Sequence, residues 1–365
     1  MRALLLSISL FVFATTFGQN SKANKSEVRF PAESELHEGT WLQWPHHYQY
    51  GIKYRKNLDD TWVSITAALI TSENVHIIAY NQTEKSRIEA LLKSKDISLK
   101  KINFIILKTD DVWIRDNGPI FVKDKFNHLI IEDWGFNAWG NDAKFEKCNQ
   151  IPQHIALELS LPLIELNNII LEGGSFETDG NGTLIATRSS IVHKSRNPDK
   201  TELEIEAYLM NHLGTPNIIW LDGKYGTELT DMHIDGLMKF ANDSTILTMS
   251  TNDLLYWGLS KADINTLNSA CNIDAISYNK IELPLTQFDV KNTRGKSLGY
   301  KGSYCNFYIA NKVILVPNYN DSNDKVANKI IQSLYPNRNV IGIDARNLYQ
   351  NGGMIHCVTM QQPEN

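Results

Sequence analysis

The stretch Gly174-Ser175-Phe176-Glu177-Thr178-Asp179-Gly180-Asn181-Gly182-Thr183-Leu184-Ile185-Ala186-Thr187 reads as two short strands joined by a tight turn. Its centre, Asp179-Gly180-Asn181-Gly182, is made of the residues that accept the backbone angles a hairpin turn demands. Outward from it the same unit recurs. Residues 119–134 form a hairpin turning at 124–128, residues 236–250 one turning at Asn242-Asp243, and residues 304–319 one turning at Asn311. The four starts, at 119, 174, 236 and 304, lie 55, 62 and 68 residues apart. Helical stretches fall after them at 151–161, 200–213, 260–271 and 322–335, the third opening on a Ser260/Asp263 capping box. Upstream, 57–72 carries Leu58, Trp62, Ile65, Ala68 and Leu69 at helical spacing, 75–80 reads as a buried strand, 83–95 as a helix and 101–108 as a strand. A hairpin-plus-helix unit repeated every sixty residues or so predicts an α/β fold of blades set radially about a pseudo-axis. No low-complexity linker interrupts it, so residues 30–365 are expected to form one domain.

Hydrophobic residues make up 42% of the 365 and charged residues 21%, an ordinary globular balance. A net charge of -5 and a pI near 6.1 offer nucleic acid nothing to grip. A cationic substrate would instead be drawn by local carboxylates. Residues 1–18 read as a secretory signal peptide: Arg2, an apolar run, then Thr16-Phe17-Gly18. Residues 19–29 read as a polar lead. The expectation is a secreted or periplasmic protein with no membrane attachment after cleavage, since no later segment is apolar for long enough to span a bilayer. Of the four cysteines, a reactive Cys357 leaves Cys148, Cys271 and Cys305, which allow at most one bridge. That is no disulfide framework.

One polar residue sits at a matching point of each unit: Asp116, Glu172, His233, Asn306 and Cys357, separated by 56, 61, 73 and 51 residues. Each precedes or opens its strand pair, and scattered structural residues would have no reason to keep this phase. Read as a strand, His233-Ile234-Asp235 would put imidazole and carboxylate on one face. The bland alternatives are a core histidine, a turn-capping Asp116, a solvated Glu172 and a small buried Cys357. Taken together, a thiol, an imidazole and three carboxylates point to thiol chemistry on a cation. His233, Asp235, His356 and Cys357 are also zinc-ligand types, but neither CxxC nor HExxH is present and no metal is expected. Serine-hydrolase, phosphate-loop and dinucleotide fingerprints are absent.

Five segments carry a family resemblance. They are Trp113-Ile114-Arg115-Asp116-Asn117-Gly118-Pro119, Asp133-Trp134-Gly135-Phe136-Asn137-Ala138-Trp139-Gly140, the run from Glu172 to Thr183, His233-Ile234-Asp235, and the run from Gly353 to Pro363. Together they resemble the agmatine deiminase family, which includes the bacterial (Porphyromonas-type) peptidylarginine deiminases of the guanidino-modifying pentein superfamily. The resemblance spans about 30–363. It implies a five-bladed α/β propeller of repeated ββαβ-type units around a pseudo-five-fold axis. It also implies that Cys357 attacks the guanidinium carbon, and that His233 protonates departing ammonia and then activates water. Asp116 and Asp235 would grip the guanidinium nitrogens, Glu172 would orient His233, and Trp113 and Asn306 would complete the substrate site. No cofactor is implied. The chemistry is consistent: a guanidinium stays protonated, so carboxylates must hold its planar fork, and a nearby cation favours the thiolate. Met232 and Met354 depart from the family pattern, which has Gly at the first point and Gly or Asn at the second, and are expected to narrow the pocket.

The expected partner is a small guanidinium compound or an arginyl peptide; homo-oligomerisation is left open. Family members acting on peptidylarginine clamp the substrate carboxylate with arginines shortly after the Arg-Asp segment. Here no arginine occurs between Arg115 and Arg188, which favours agmatine, a substrate without a carboxylate. Export favours arginyl peptides. The remaining class is a non-catalytic guanidinium-binding protein, whose mark would be a missing Cys, His or Asp; none is missing.

Overall fold

Five separate sheets organise the chain. The computed structural model describes residues 27–365, so the signal peptide read at 1–18 and most of the polar lead lie outside the described residues. The first sheet joins Val28–Arg29, Ile120–Asp124, Leu129–Gly135 and Leu163–Ile170. Val28–Arg29, read as the end of the polar lead, is thus a short edge strand paired with Lys123 and Asp124. The second sheet joins Phe176–Thr178, Thr183–Thr187 and Asn217–Leu221; the third Met238–Asn242, Thr245–Met249 and Asn279–Leu283. The fourth joins Tyr308–Ile309, Val313–Asn318 and Asn339–Asp344. The fifth takes Met360–Pro363 from one end of the chain and His37–Gln43 from the other, then Asn74–Ala79 and Ile102–Ile106.

Every sheet is built alike. At its centre an antiparallel pair is followed by a strand parallel to its second member; the first sheet adds Val28–Arg29 antiparallel to Ile120–Asp124, and the fifth adds Ile102–Ile106 parallel to Asn74–Ala79. Parallel strands need a crossover, and each is supplied by a helix: Ile151–Leu159, Glu202–Leu213, Lys261–Asn268 with Thr251–Tyr256, Asn323–Leu334 and Gly51–Leu69. The second strands are buried along almost their whole length, as in Thr183–Thr187 and Thr245–Met249, because helices and neighbouring sheets cover both faces. The four hairpins, the helices and the Ser260/Asp263 capping box stand where the sequence puts them, within a few residues.

The second hairpin turns as its residues require. Gly180 and Gly182 take φ of 75° and 102°, and Asp179 Oδ1 accepts from the amides of Asn181 and Thr183 at 2.8 and 3.0 Å. One expectation fails. His233-Ile234-Asp235 is not a strand: residues Ile234–Gly236 form a 3-10 turn with His233 as its N-cap. Asp231 and Met232 just before it have φ of 59° and 73°, which turns the chain sharply and ends any extended run. Short helical turns precede two other sheets as well, Ile114–Asn117 before the first hairpin and His356–Val358 before the last strand.

Candidate active site

Gly174 is the hinge of the site. A Cβ there would stand 2.7 Å from His233 Nδ1, 2.9 Å from Asp116 Oδ1 and 3.1 Å from Asp235 Oδ2. Three predicted residues from two units therefore meet around a single absent side chain in a third. Asp116 is fixed by the Gly174 amide at 3.2 Å and the Trp139 indole at 3.0 Å, and its Oδ1 faces His233 Nδ1 at 3.6 Å. The other ring nitrogen of His233 meets Glu172 Oε2 at 3.1 Å. Glu172 is held in turn by Arg196, whose Nε donates to Oε1 at 2.8 Å and whose Nη1 donates to Asp231 at 2.6 Å. All these side chains are buried.

Asp235 is fixed from the other direction. His356 Nδ1 lies 2.8 Å from Asp235 Oδ2, and His356 Nε2 lies 2.7 Å from Glu33 Oε2. Glu33 also pairs with Lys239 at 3.2 Å and Arg115 at 3.4 Å, and Lys239 reaches Glu177 at 2.9 Å. Cys357 follows His356 on the same turn and is half-buried. Its sulfur accepts from the Met354 amide at 3.4 Å and lies 3.6 Å from Asn306 Oδ1. Asn306 Oδ1 also accepts from the His356 amide at 2.9 Å, while its buried Nδ2 finds no partner among the described residues.

A cavity of about 510 Å³ opens onto this cluster. His233, Asp235, Asn306 and Cys357 line it; Asp116 and Glu172 stand behind, against His233. Trp113, expected on the wall, is buried against Gly353, which has no room for a Cβ beside the indole. The outer wall is apolar and aromatic, with Met232, Trp257, Tyr256, Tyr300 and Tyr349. Among the described residues no group of three His, Cys, Asp or Glu side chains could hold a metal. Both rings named as zinc-ligand types face carboxylates instead.

Electrostatics differ sharply across a few ångströms. Burial pushes the Asp116 carboxyl up to about 6, with Asp235 and Glu172 adding to it against the pull of His233. Burial would depress His233, but Asp116 first, then Glu172 and Asp235, hold its imidazolium up to about 9. Asp235 is buried too, yet the hydrogen bond and charge of His356 keep it below the usual carboxylate range. Burial, with Asp235 and Asp116, drives the Cys357 thiol well above its ordinary value. The cluster thus sets a proton-loaded imidazole and a protonated thiol beside buried acids.

Arg196, Glu33, Lys239 and Trp139 were not singled out in the sequence as site residues. Arg196 lies in an unremarkable loop run, Ser195-Arg196-Asn197-Pro198, and Glu33 is separated from His356 by 323 residues. Trp139 lies within the 133–140 segment, but nothing local marks its indole as a donor to Asp116.

Comparison with known proteins places the chain in a family. The family model described as Porphyromonas-type peptidyl-arginine deiminase matches residues 29–363. A Marinomonas sp. protein provisionally named agmatine deiminase is 32% identical over 358 residues, covering 92% of this chain and 94% of its own. The solved structure of a cysteine-to-serine variant of C. jejuni agmatine deiminase with substrate bound superposes with a TM-score of 0.81 at 25% identity, covering 93% and 97% of the two chains. A structure from Porphyromonas gingivalis provisionally named arginine deiminase gives 0.80 at 29%, covering 92% and 98%. By its mixed α/β fold and a match that runs through all five sheets, this chain belongs to the family of agmatine deiminases and Porphyromonas-type peptidyl-arginine deiminases, hydrolases acting on the C–N bond of a linear amidine.

Proposed function

We propose that this protein is a guanidine deiminase that converts an alkylguanidinium and water to an alkylurea and ammonium, with Cys357 as nucleophile. The observation that carries the reading is the convergence of His233, Asp116 and Asp235 on Gly174, with Cys357 on the wall of the same cavity. Burial and two acids raise the Cys357 thiol and so disfavour a thiolate. A guanidinium between those acids reverses the balance, since its charge sits against the sulfur. The thiolate attacks the guanidinium carbon, and the His233 imidazolium gives its proton to the departing nitrogen, which leaves as ammonia. This produces a covalent S-alkylamidino (thiouronium) cation. Neutral His233 then takes a proton from water as the oxygen attacks the same carbon, and collapse breaks the C–S bond, returning the sulfur as thiolate while the hydroxyl proton passes to solvent, where the released ammonia becomes ammonium. Asp116 and Asp235 offer the fork of charge that a planar cation requires, and Glu172, braced by Arg196, keeps the ring aimed.

Relatives carry the name agmatine deiminase, so agmatine, giving N-carbamoylputrescine, is the first substrate to test. A second reading, an arginyl peptide turned to a citrullyl one, is favoured by Lys301 on the cavity wall. Its ammonium lies 5.7 Å from the centre of the Tyr256 ring, where it would meet the carboxylate of an arginine at the C-terminus of a peptide. Ammonia and ureido product should appear with one of these, and Cys357→Ala should abolish both. Tight binding of guanidines by the intact protein with no ammonia released would leave a binding protein on this scaffold.

Two wider readings accompany it. The five like-built sheets are proposed to stand as the blades of a pentein propeller around a pseudo-five-fold axis, one catalytic domain from residue 30 onward. Residues 1–18 are proposed to direct export to the periplasm or beyond; the N-terminal sequence of the mature protein tests this. Among the described residues no helix is long and apolar enough to cross a membrane.

A further inference from the structure

Met232 stands in the left-handed region, φ 73°, directly after Asp231 at φ 59°. Glycine takes that conformation freely and aspartate does so on occasion, but a methionine Cβ crowds the following carbonyl. The backbone is pinned there. The Met232 amide donates to Glu228 Oε1 at 2.6 Å, and its carbonyl accepts from Thr187 Oγ1 at 2.8 Å. Arg196 and the Gly226 amide hold Asp231 beside it, at 2.6 and 2.7 Å. These anchors explain how the conformation persists. They would serve glycine equally well, so they do not explain why a methionine occupies it.

The side chain supplies the reason. It is 5% exposed and lines the 510 Å³ cavity together with His233 and Cys357. Its methyl group lies 3.5 Å from the point where a Cβ on Gly258 would stand, one residue from Trp257. The methyl of Met354 lies 3.9 Å from the matching point on Gly236, whose nearest neighbour is the Trp257 ring at 3.4 Å. Two thioethers and an indole therefore form one apolar wall next to the residue that handles protons. We propose that Met232 is a specificity-determining residue, retained in a strained backbone because its thioether grips the hydrocarbon arm of the guanidinium substrate. The inference rests on the deiminase reading and sharpens it. Flexible thioethers follow a chain of methylenes closely, so the favoured class is a guanidinium on an unbranched alkyl arm.

Calorimetric binding of methyl-, ethyl-, propyl- and butylguanidinium to the Cys357→Ser protein reads the wall without turnover. With Met232 in place each added methylene should tighten binding about fourfold. In Met232→Ala and Met232→Gly on that background the step should shrink to about twofold or less; an unchanged step in both overturns the proposal. Melting isolates the strain, because both variants lack the thioether. The Gly variant should melt about 2 °C above the Ala variant, the reverse of the order at ordinary positions. A Gly variant that melts below the Ala variant overturns the proposal as well. Ammonia release by the protein with Cys357 intact keeps the two readings apart. No turnover of any guanidine, with the Met232-dependent step present, defeats the deiminase reading alone. Turnover together with a step indifferent to Met232 defeats this proposal alone.

Discussion

Asp116 Oδ1 and His233 Nδ1 face each other at 3.6 Å, the carboxyl raised to about 6 and the imidazole to about 9. Each sets the other's working range, and this gives the pH dependence its sign. Below about 6 Asp116 takes a proton and the guanidinium loses one of its acids; above about 9 His233 loses the proton it must give to ammonia. The free protein's kcat/KM should therefore rise across neutral pH, because the attacking sulfur must lose a proton it holds well above the ordinary thiol range, and should bend on its alkaline side near 9, where His233 loses its proton. Asp116 is foremost among the charges that raise His233, so Asp116→Asn should move the alkaline limb to lower pH; an unmoved limb would mean that another group supplies the proton. Gly174 offers a second test at this scale. Gly174→Ala puts a methyl group within 3 Å of both members of the pair, and a displacement of about an ångström costs on the order of 10²-fold in rate. Ammonia release should fall by about that factor while far-ultraviolet dichroism is unchanged. The five phased residues were legible because each sits in a short motif at a regular interval. Arg196 was not, because a buried arginine in a loop has the same sequence appearance as a solvated one.

Elements differ in how much of themselves they write locally. The hairpins were readable because their turns depend on adjacent residues, as Asp179-Gly180-Asn181-Gly182 shows. The parallel strands that follow the four repeated hairpins were not, although 75–80 and 101–108 in the fifth sheet were. Leu163–Ile170 and Asn279–Leu283 lie at sheet edges and bury only Leu166, Ile169 and Leu283, so they carry no clean apolar period. Their partners are fixed only by crossover helices. His233-Ile234-Asp235 misled for a related reason: alternation suggests a strand, but the left-handed pair Asp231-Met232 before it forces a turn. Helix ends were the most local signals of all. Thr201 and Glu204 form a full capping box at the start of Glu202–Leu213, with Thr201 Oγ1 accepting from the Glu204 amide at 3.3 Å and Glu204 Oε2 accepting from the Thr201 amide at 2.8 Å. Thr201→Ala should lower stability by about 1 kcal/mol in urea unfolding and leave kcat and KM unchanged, since this helix supplies none of the residues lining the cavity. A change in kcat would mean that the helix start is coupled to the Arg188–Arg196 run before it.

At the scale of the molecule, the two ends of the described chain are joined at the site. Met360–Pro363 pairs with His37–Gln43 in the fifth sheet, and Glu33, just before that strand, reaches His356, just before the other. Glu33 is the point where Arg115, Lys239 and His356 meet, and its carboxylate is held well below the usual range because their charges and the His356 hydrogen bond outweigh its burial. Three units of the fold thus lean on one carboxylate, which also accepts from the Ile309 amide of a fourth at 2.8 Å. Glu33→Gln keeps the shape and removes the charge. It leaves Arg115, whose one carboxylate partner among the described residues is Glu33, buried and unpaired, and such a loss costs about 3–5 kcal/mol. Urea unfolding should show a loss of that size. Arg115→Met in the same chain should recover a large part of it, because removing both partners of a buried pair is far cheaper than removing one. A single variant that loses less than about 1 kcal/mol would show that water already screens the cluster and that the chain ends are held by the strand pairing alone. Activity should follow the same order. Without Glu33 the His356 ring loses its second anchor, and Asp235, which depends on that ring at 2.8 Å, loses the aim on which the grip of the cation depends.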